Sequence, residues 1–251
     1  MPAPSPRVTA QEIATRRLRR AILGGEFSGA RRLPPERELA ERYGVSRLTL
    51  RGALASLTSE GLVRPRQGSG LELLAVEQNA GLDVLAMLLE AADEDPQRSL
   101  DLFEQTLSMR RSVAVDVVRR AQRHASRAER RQLRELADRQ WTCTEDREAY
   151  VAGDEAFQRA VLALARSTPS ELVFNGVWRA LNARPELLDA YYGDRPRHAR
   201  MYRRTARLVR LPKAYASRRR IGSEIAAFDR LALGRVARAL GLPKEVGRAL
   251  S

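Results

Sequence analysis

The stretch LPPERELAERYGVSRLTLRGALASLTSEGLVRPRQGSG, Leu33 to Gly70, decides the fold of the first part of this chain. Pro35 suits the first turn of a helix, where its missing N–H has no bond to lose, so residues 36–43 are predicted to form a short helix. Gly44 ends that helix, because glycine readily adopts the left-handed conformation found at helix C-termini. The stretch therefore begins with a short helix and a tight turn.

A second helix follows directly. Ser46 is a favourable N-cap, and one apolar face then recurs at helical spacing. This face consists of Leu50, Ala53, Leu54 and Leu57. The outward part near the N-terminus of the helix carries Arg47, Leu48, Thr49 and Arg51. In a helix-turn-helix, this end of the second helix enters the major groove of DNA.

Two short strands with a glycine-rich tip complete the stretch. Gly61 ends the second helix, and the runs 62–64 and 71–73 flank a basic, glycine-rich turn. Upstream, Thr9 and Glu12 have the spacing of a capping box at the start of another helix. Each piece taken singly is an ordinary amphipathic helix or hairpin. In this order they predict a winged helix-turn-helix, and therefore DNA binding.

These segments also carry a family resemblance. They are Gly25-Glu26-Phe27, RLPPERELA at 32–40, GVSRLTLR at 44–51, EGLV at 60–63 and QGSG at 67–70. Over about residues 9–74 the chain resembles the GntR family of bacterial transcription regulators, and several spaced motifs agree. Pro35 stands where Ser or Ala is common, and Gly52 where an acidic or amide residue is usual. The residues expected to contact DNA are Arg37, Ser46, Arg47, Thr49, Arg51, Gln67 and Gly68.

Length and composition fit two globular domains. With 251 residues, of which 43% are hydrophobic and 30% charged, we expect a DNA-binding domain at 1–74, a hinge at 75–79 and a second domain at 80–251. No apolar run reaches the roughly 20 residues that span a bilayer, and residues 1–6 do not resemble a signal peptide, so no membrane association and a cytoplasmic location are expected. A single cysteine, Cys143, excludes an intramolecular disulfide.

The formal net charge of +14 favours a polyanionic partner. Residues 1–74 hold thirteen arginines and seven acidic residues, so the excess is not confined to the DNA-binding part. Two interpretations remain open. The excess reflects solvated helix faces of an arginine-rich protein, or a basic cavity in the second domain for a phosphate-bearing or carboxylate effector.

The second domain is predicted to be almost wholly helical. The expected helices span 81–92, 99–124, 126–142, 146–166, 169–190, 196–210, 214–232 and a last segment from Leu233. No strand pattern competes, so the predicted fold is mainly α: an N-terminal winged helix-turn-helix with a small β wing, followed by an antiparallel helical bundle.

A helical domain after such a module resembles the FadR subfamily, whose second domain binds effectors and dimerises. Most members hold a metal through an aspartate, a histidine one helical turn later and two further histidines. Asp154 matches the aspartate, but Gln158 stands in the histidine position, and an amide is a poor ligand beside imidazole. Neither His124 nor His198, which is expected in a solvated turn after Pro196, completes the set. No metal is expected.

The remaining segments resemble the fatty-acid-responsive members of that subfamily, which sense long-chain acyl-CoA. These segments are 80–85, 107–110, 154–157 and 172–176. The resemblance implies effector contacts at Arg110, Asp154, Asn175, Trp178, Tyr191, Tyr192 and Ser223. Arg110 either meets a phosphate or carboxylate or pairs with a buried carboxylate such as Asp154. The three aromatic residues either line a pocket or belong to the core.

Two rival classes have less support. An enzyme is disfavoured because no phosphate loop or nucleophile elbow is present and Cys143 lacks an identifiable base. A nucleoid-associated protein without an effector would not need so large a helical domain. We therefore expect a homodimer that binds a pseudo-palindromic operator. Its effector, with no other cofactor, would alter DNA affinity through the hinge at 75–79.

Overall fold

The computed structural model describes residues 9–66, 70–211 and 218–243, with no side chain described for Arg218. The chain divides between Glu94 and Asp95 into two compact units. No helix in these ranges is long and apolar enough to cross a membrane.

The first unit is a winged helix-turn-helix, as predicted. Its helices are α1 (Ala10–Leu23), α2 (Glu36–Tyr43), α3 (Arg47–Ser59), α4 (Val76–Asn79) and α5 (Val84–Ala91), followed by a 3-10 turn at Ala92–Glu94. Strands β1 (Val63–Arg66) and β2 (Gly70–Leu73) form an antiparallel pair. Val63 lies opposite Leu73 in this wing.

Local sequence signals set the helix ends of this unit. The Thr9 side chain accepts from the backbone N–H of Glu12, whose carboxylate in turn accepts from the backbone N–H of Thr9, so the predicted capping box is formed. Ser46 Oγ accepts from the backbone N–H of Thr49 at 3.1 Å. Gly44 ends α2 in the left-handed conformation, with φ of 65°.

Helix α5 belongs to the core of the first unit. Val84 is buried there, and Met87, Leu88 and Ala91 pack against the same cluster of apolar side chains. The compact units therefore divide one helix later than the predicted hinge at 75–79, because the apolar face of α5 is buried with the DNA-binding module. Gly61 allows the backbone at the end of α4 to approach closely, since a Cβ on this residue would lie 2.5 Å from the carbonyl oxygen of Asn79.

The second unit is a bundle of seven α-helices within the described residues. They are α6 (Pro96–His124), α7 (Arg127–Thr142), α8 (Arg147–Ala165), α9 (Thr168–Asn182), α10 (Pro185–Tyr191), α11 (Arg195–Arg210) and α12 (Arg218–Ala239). A 3-10 turn at Tyr192–Asp194 joins α10 to α11. Helix α6 contacts α8, α9, α11 and α12, so it is the central helix of the bundle.

Four predicted helix boundaries were wrong. The helix expected at 81–92 begins only at Val84, because residues 81–84 form a turn in which the backbone N–H of Val84 donates to the carbonyl of Gly81. The helix expected at 169–190 is divided, because Pro185 occupies the first turn of a new helix, α10. The break expected before Leu233 is absent, and α12 runs through Gly234, where neighbouring atoms leave open space. The long helix begins at Pro96 rather than at residue 99, because Asp95 caps it.

Candidate DNA-binding surface and effector site

The predicted DNA-contacting residues of α2 and α3 lie on one accessible end of the first unit. Arg37, Ser46, Arg47 and Arg51 are exposed, and Thr49 is half-buried. The hydroxyls of Ser46 and Thr49 are hydrogen-bonded, with their oxygens 2.8 Å apart. Ser46 thus fixes where α3 begins, which determines how its first turn presents the arginine side chain.

The arginines of this surface differ in their partners. Arg51 Nε donates to Glu36 Oε2 at 2.8 Å, and Arg37 Nη1 donates to Glu41 Oε1 at 3.4 Å. Arg47 has no ion-pair partner in the part of the chain that the structure describes. Exposed ion pairs contribute only about 0–1 kcal/mol, so Arg37 and Arg51 can exchange these carboxylates for phosphates or base edges at little cost.

The wing adds two arginines that the sequence-based set omitted. Arg64 and Arg66 both donate to Glu72 Oε2, at 3.1 and 3.0 Å. The hydrogen bond from Arg64 lowers the pKa of the Glu72 carboxyl, which is ionised at neutral pH. Their spacing of two residues on a strand, which places both on one face, was the available signal. The predicted wing-tip contacts Gln67 and Gly68 lie outside the described residues.

In the second unit, Arg110 is held by a buried carboxylate. Its Nη2 donates to Asp229 Oδ1 and to the Tyr191 hydroxyl, both at 2.8 Å. Arg111 Nη1 also donates to Asp229, at 3.2 Å. The side chain of Arg110 is 10% exposed and that of Asp229 is 1% exposed. The partner of Arg110 is therefore Asp229 and not Asp154, the example considered from the sequence.

Asp154 lies in a second polar group beside the first. It accepts hydrogen bonds from the Tyr192 hydroxyl and, at 3.2 Å, from Gln158 Nε2. Burial raises the pKa of Asp154 to about 6, although the hydrogen bond from Tyr192 opposes this shift. The amide of Gln158 thus serves as a donor to the carboxylate at the position where the resemblance implies a metal ligand.

The placement expected for His198 was wrong. It is fully buried in the first turn of α11 rather than in a solvated turn. Asp194 caps this helix and Pro196 occupies its first turn, so the helix has already begun at His198, two residues after the proline, and this side chain lies on the face that packs into the core. His198 Nδ1 lies 2.9 Å from the Tyr150 hydroxyl. Burial lowers the pKa of His198 well below its usual value, so the ring is neutral.

No group of three or more His, Cys, Asp or Glu side chains that could hold a metal occurs among residues 9–66, 70–211 and 218–243. Asp154 and Gln158 occupy two of the positions at which the FadR resemblance implies metal ligands. Here they form a hydrogen bond to each other, in which the carboxylate accepts and the amide donates. The donor set in this part of the chain does not fit a transition metal.

An apolar cavity of about 70 Å³ lies beside these polar groups. Its lining includes Val117, Phe157 and Phe174, together with the polar residues Arg110 and Tyr202. Two buried polar atoms of this lining, Arg110 Nε and the Tyr202 hydroxyl, have no hydrogen-bond partner among the described residues. Such atoms are costly to leave unpaired, so the cavity is suited to an apolar molecule with a polar head.

Of the seven predicted effector contacts, Arg110 alone lines this cavity. Tyr191 and Tyr192 are buried in the core, where they hold Asp229 and Asp154. The other three are elsewhere in the unit. Asn175 accepts from Arg159, Trp178 stacks on Phe174 with ring centres 5.7 Å apart, and Ser223 is exposed.

A second cavity, of about 230 Å³, lies between α11 and α12 and is lined by arginines. Its lining includes Arg197, Arg200, Arg204 and Met201. Arg204 pairs with Glu224 at 2.6 Å. Met201 lines both cavities, so the apolar one and the basic one adjoin.

The charge of the chain is concentrated in the second unit. Residues 95–251 hold 32 basic and 19 acidic residues, whereas residues 1–94 hold 13 and 12. The net charge of +14 therefore belongs almost entirely to the unit that contains the arginine-lined cavity. The arginines that line that cavity, Arg197, Arg200 and Arg204, are themselves exposed to solvent, so the distribution of charge is compatible with both interpretations.

Two family models match the chain. Residues 9–73 match the model for bacterial regulatory proteins of the gntR family, and residues 105–226 match the FCD domain model. The first match coincides with the winged helix-turn-helix. The second covers most of the helical bundle, including the whole lining of the apolar cavity and all of the basic cavity's lining except Ala227 and Phe228.

Similar proteins agree with these matches. An uncharacterized HTH-type transcriptional regulator of Mycobacterium tuberculosis is 56% identical over 50 residues, which are 20% of this chain and 21% of the relative. The fatty acid metabolism regulator protein of Yersinia pestis is 31% identical over 159 residues, 62% of this chain and 63% of the relative. The chain thus spans less than two thirds of these curated relatives.

The fold is also found among solved structures. The structure of Lar, described as controlling expression of the Listeria monocytogenes agr system, matches with a TM-score of 0.55 at 17% identity. The match covers 92% of this chain and 97% of Lar.

Proposed function

The chain belongs to the GntR family of bacterial regulatory proteins and carries an FCD domain behind its DNA-binding module, and from this we propose a homodimeric transcription regulator controlled by a small-molecule effector. Its relatives and domains indicate a regulator of transcription and not an enzyme. The observation that carries the proposal is the capped helix α3, which presents Arg47 and Arg51 to solvent at its N-terminal end.

The DNA target is a pseudo-palindromic operator. Two copies of the winged module related by a two-fold axis read two symmetric half-sites. Arg47 and Arg51 address base edges or phosphates in the major groove, while Arg64 and Arg66 of the wing are placed for phosphate contacts. On binding, Arg51 gives up its ion pair with Glu36, and Arg64 and Arg66 give up theirs with Glu72, in exchange for contacts with DNA.

The proposed effector is a long-chain acyl-CoA or a related acyl thioester. Three observations support this class of ligand. The first cavity is largely apolar with a cationic residue, Arg110, in its lining. The adjoining cavity offers Arg197, Arg200 and Arg204 for phosphates. A relative similar over 62% of this chain is named as a fatty acid metabolism regulator.

The volume of the apolar cavity sets a requirement on this ligand. At about 70 Å³ it is well below the roughly 300–1,000 Å³ of pockets that enclose a drug-sized ligand. A long acyl chain therefore has to separate the helices that line the cavity. Such a rearrangement would give the two states different ligand affinity, which is what coupling to DNA binding demands. A short-chain carboxylate that fits with less movement is the alternative effector.

A titration distinguishes these effectors. A labelled operator complex is titrated with CoA, with acyl-CoAs of increasing length and with short carboxylates. For acyl-CoA, the affinity should rise about fourfold per CH₂ until the cavity is filled, and CoA alone should act far more weakly. Release by short carboxylates alone would favour the alternative. If none of these compounds releases the operator, both proposed effectors are refuted.

Two pairs of variants locate the ligand. Ala114→Leu narrows the apolar cavity and should abolish the response to long chains, while Ala128→Leu, on the exposed face of α7, should not. Arg197→Ala should weaken acyl-CoA but leave free fatty acids unaffected. The matched control is Arg207→Ala, because Arg207 is exposed on the same helix but does not line the basic cavity.

A further inference from the structure

Leu48 is the most exposed large apolar residue in the described part of the chain. It is 82% exposed, compared with 65% for Leu172, 48% for Ile13 and 43% for Leu231. It occupies the second position of α3, directly after Arg47 and before Thr49. This is the end of the helix that a helix-turn-helix inserts into the major groove.

The fold does not use this side chain. The apolar face of α3 that packs into the core consists of Leu50, Ala53, Leu54 and Leu57, all of them buried. On a helix surface, the neighbours of Leu48 toward the C-terminus are the residues three and four positions on, Arg51 and Gly52. Neither offers an apolar contact, so Leu48 projects alone from the helix.

We propose that Leu48 reads the C5-methyl group of a thymine in each operator half-site. The major-groove edges of the bases carry hydrogen-bond donors and acceptors, and the thymine methyl is their one apolar group. Arg47 and Thr49 can satisfy polar edges on either side, whereas a leucine between them can only gain from an apolar one. The inference rests on the proposed DNA-binding function and assigns sequence specificity to a residue outside the predicted contact set.

A protein partner fits this residue less well than DNA. Apolar patches that bind proteins are contiguous over a few hundred Å². Leu48 is instead surrounded by Ser46, Arg47 and Arg51, whose side chains are polar or cationic and exposed. A single apolar group within a cationic surface is complementary to a methyl group set among phosphates and polar base edges.

The first experiment identifies the base pair. Full-length protein and its Leu48→Ala variant are each used to select binding sites from a random DNA library. We expect one T·A pair per half-site that the wild type requires and the variant does not, while the positions read by Arg47 stay unchanged. Leu172→Ala, the next most exposed leucine, is the control and should select the wild-type site.

The second experiment removes only the methyl group. Deoxyuridine replaces the thymine at that position, which keeps every hydrogen-bonding group of the base. Wild type should bind about fourfold more weakly for each half-site in which the thymine is replaced, the loss expected for one buried methyl-sized group, whereas Leu48→Ala should bind both operators equally.

The possible failures are distinguishable. If wild type and Leu48→Ala lose the same affinity on the deoxyuridine operator, or neither loses any, Leu48 does not read a methyl group, and DNA recognition through the arginines stands. If the wild type selects no preferred site at all, the proposed regulator function fails, and this inference fails with it.

Discussion

Replacement of Asp229 by alanine tests whether the buried ion pair organises the second unit. Asp229 is 1% exposed and accepts from Arg110 at 2.8 Å, from Arg111 at 3.2 Å and from the Tyr191 hydroxyl at 3.2 Å. Asp229→Ala leaves the guanidinium of Arg110 buried with its charge uncompensated. We therefore expect the loss of stability in Asp229→Ala to come mainly from the unpaired, buried charge of Arg110.

The magnitude follows from this burial. Breaking a buried pair by removing one partner reduces the free energy of unfolding by about 3–5 kcal/mol. A domain of this size loses roughly 2–4 °C in Tm per kcal/mol, so the midpoint should fall by about 6–20 °C. Asp229→Asn keeps the shape and one acceptor, and its loss should be smaller than that of Asp229→Ala.

The assay can observe the second unit alone in the full-length protein. Both tryptophans of the chain, Trp141 and Trp178, lie within residues 95–251. Tryptophan fluorescence during thermal or urea unfolding therefore reports on that unit without a signal from tryptophan in the first. Operator binding at low temperature provides a separate check that the DNA-binding module is intact.

Asp116→Ala is the matched control, because Asp116 pairs with Arg120 at 2.6 Å on the surface of α6, with 42% and 39% of their side chains exposed. Such a pair contributes about 0–1 kcal/mol. If Asp229→Ala loses no more stability than Asp116→Ala, the charge of Arg110 is satisfied by other groups and the reasoning is refuted.

Three further predictions concern DNA, pH and metals. Arg47→Ala and Arg51→Ala should each reduce discrimination between operator and random DNA by about 1–3 kcal/mol with an unchanged Tm, and unchanged affinity at fixed salt in both variants would contradict the assignment. Since burial raises the pKa of Asp154 to about 6, its contribution to stability is lost as pH rises from about 4 through 6. Asp154→Asn should therefore exceed wild type in unfolding free energy at pH 8 by up to about 3 kcal/mol but not at pH 4, and a difference independent of pH in urea unfolding would count against this. Protein stripped of metal and re-exposed to zinc or nickel should hold less than one equivalent by elemental analysis, because Gln158 replaces an imidazole, and a stoichiometric metal on Asp154 would overturn this expectation.

The sequence alone determined the features that depend on a few neighbouring residues. The helix starts at Thr9 and Ser46 and the helix end at Gly44 follow from contacts within about four positions along the chain, and the two strands of the wing pair over at most ten positions. Because these signals occur in a characteristic order, the DNA-binding module and its reading helix could be predicted. The helical character of the second unit followed from the same kind of periodicity, although the start of α10 at Pro185 was missed.

The tertiary structure alone decided which side chains meet inside the bundle. Arg110 and Asp229 are separated by 119 positions, yet they form the central ion pair. His198 is buried, although its local sequence after a proline is typical of a turn. The helix period shows which face of a helix is apolar, but the rotation and axial shift of packed helices determine which residues come opposite one another. Those quantities depend on how all the helices fill the core together, so no local pattern of residues contains them.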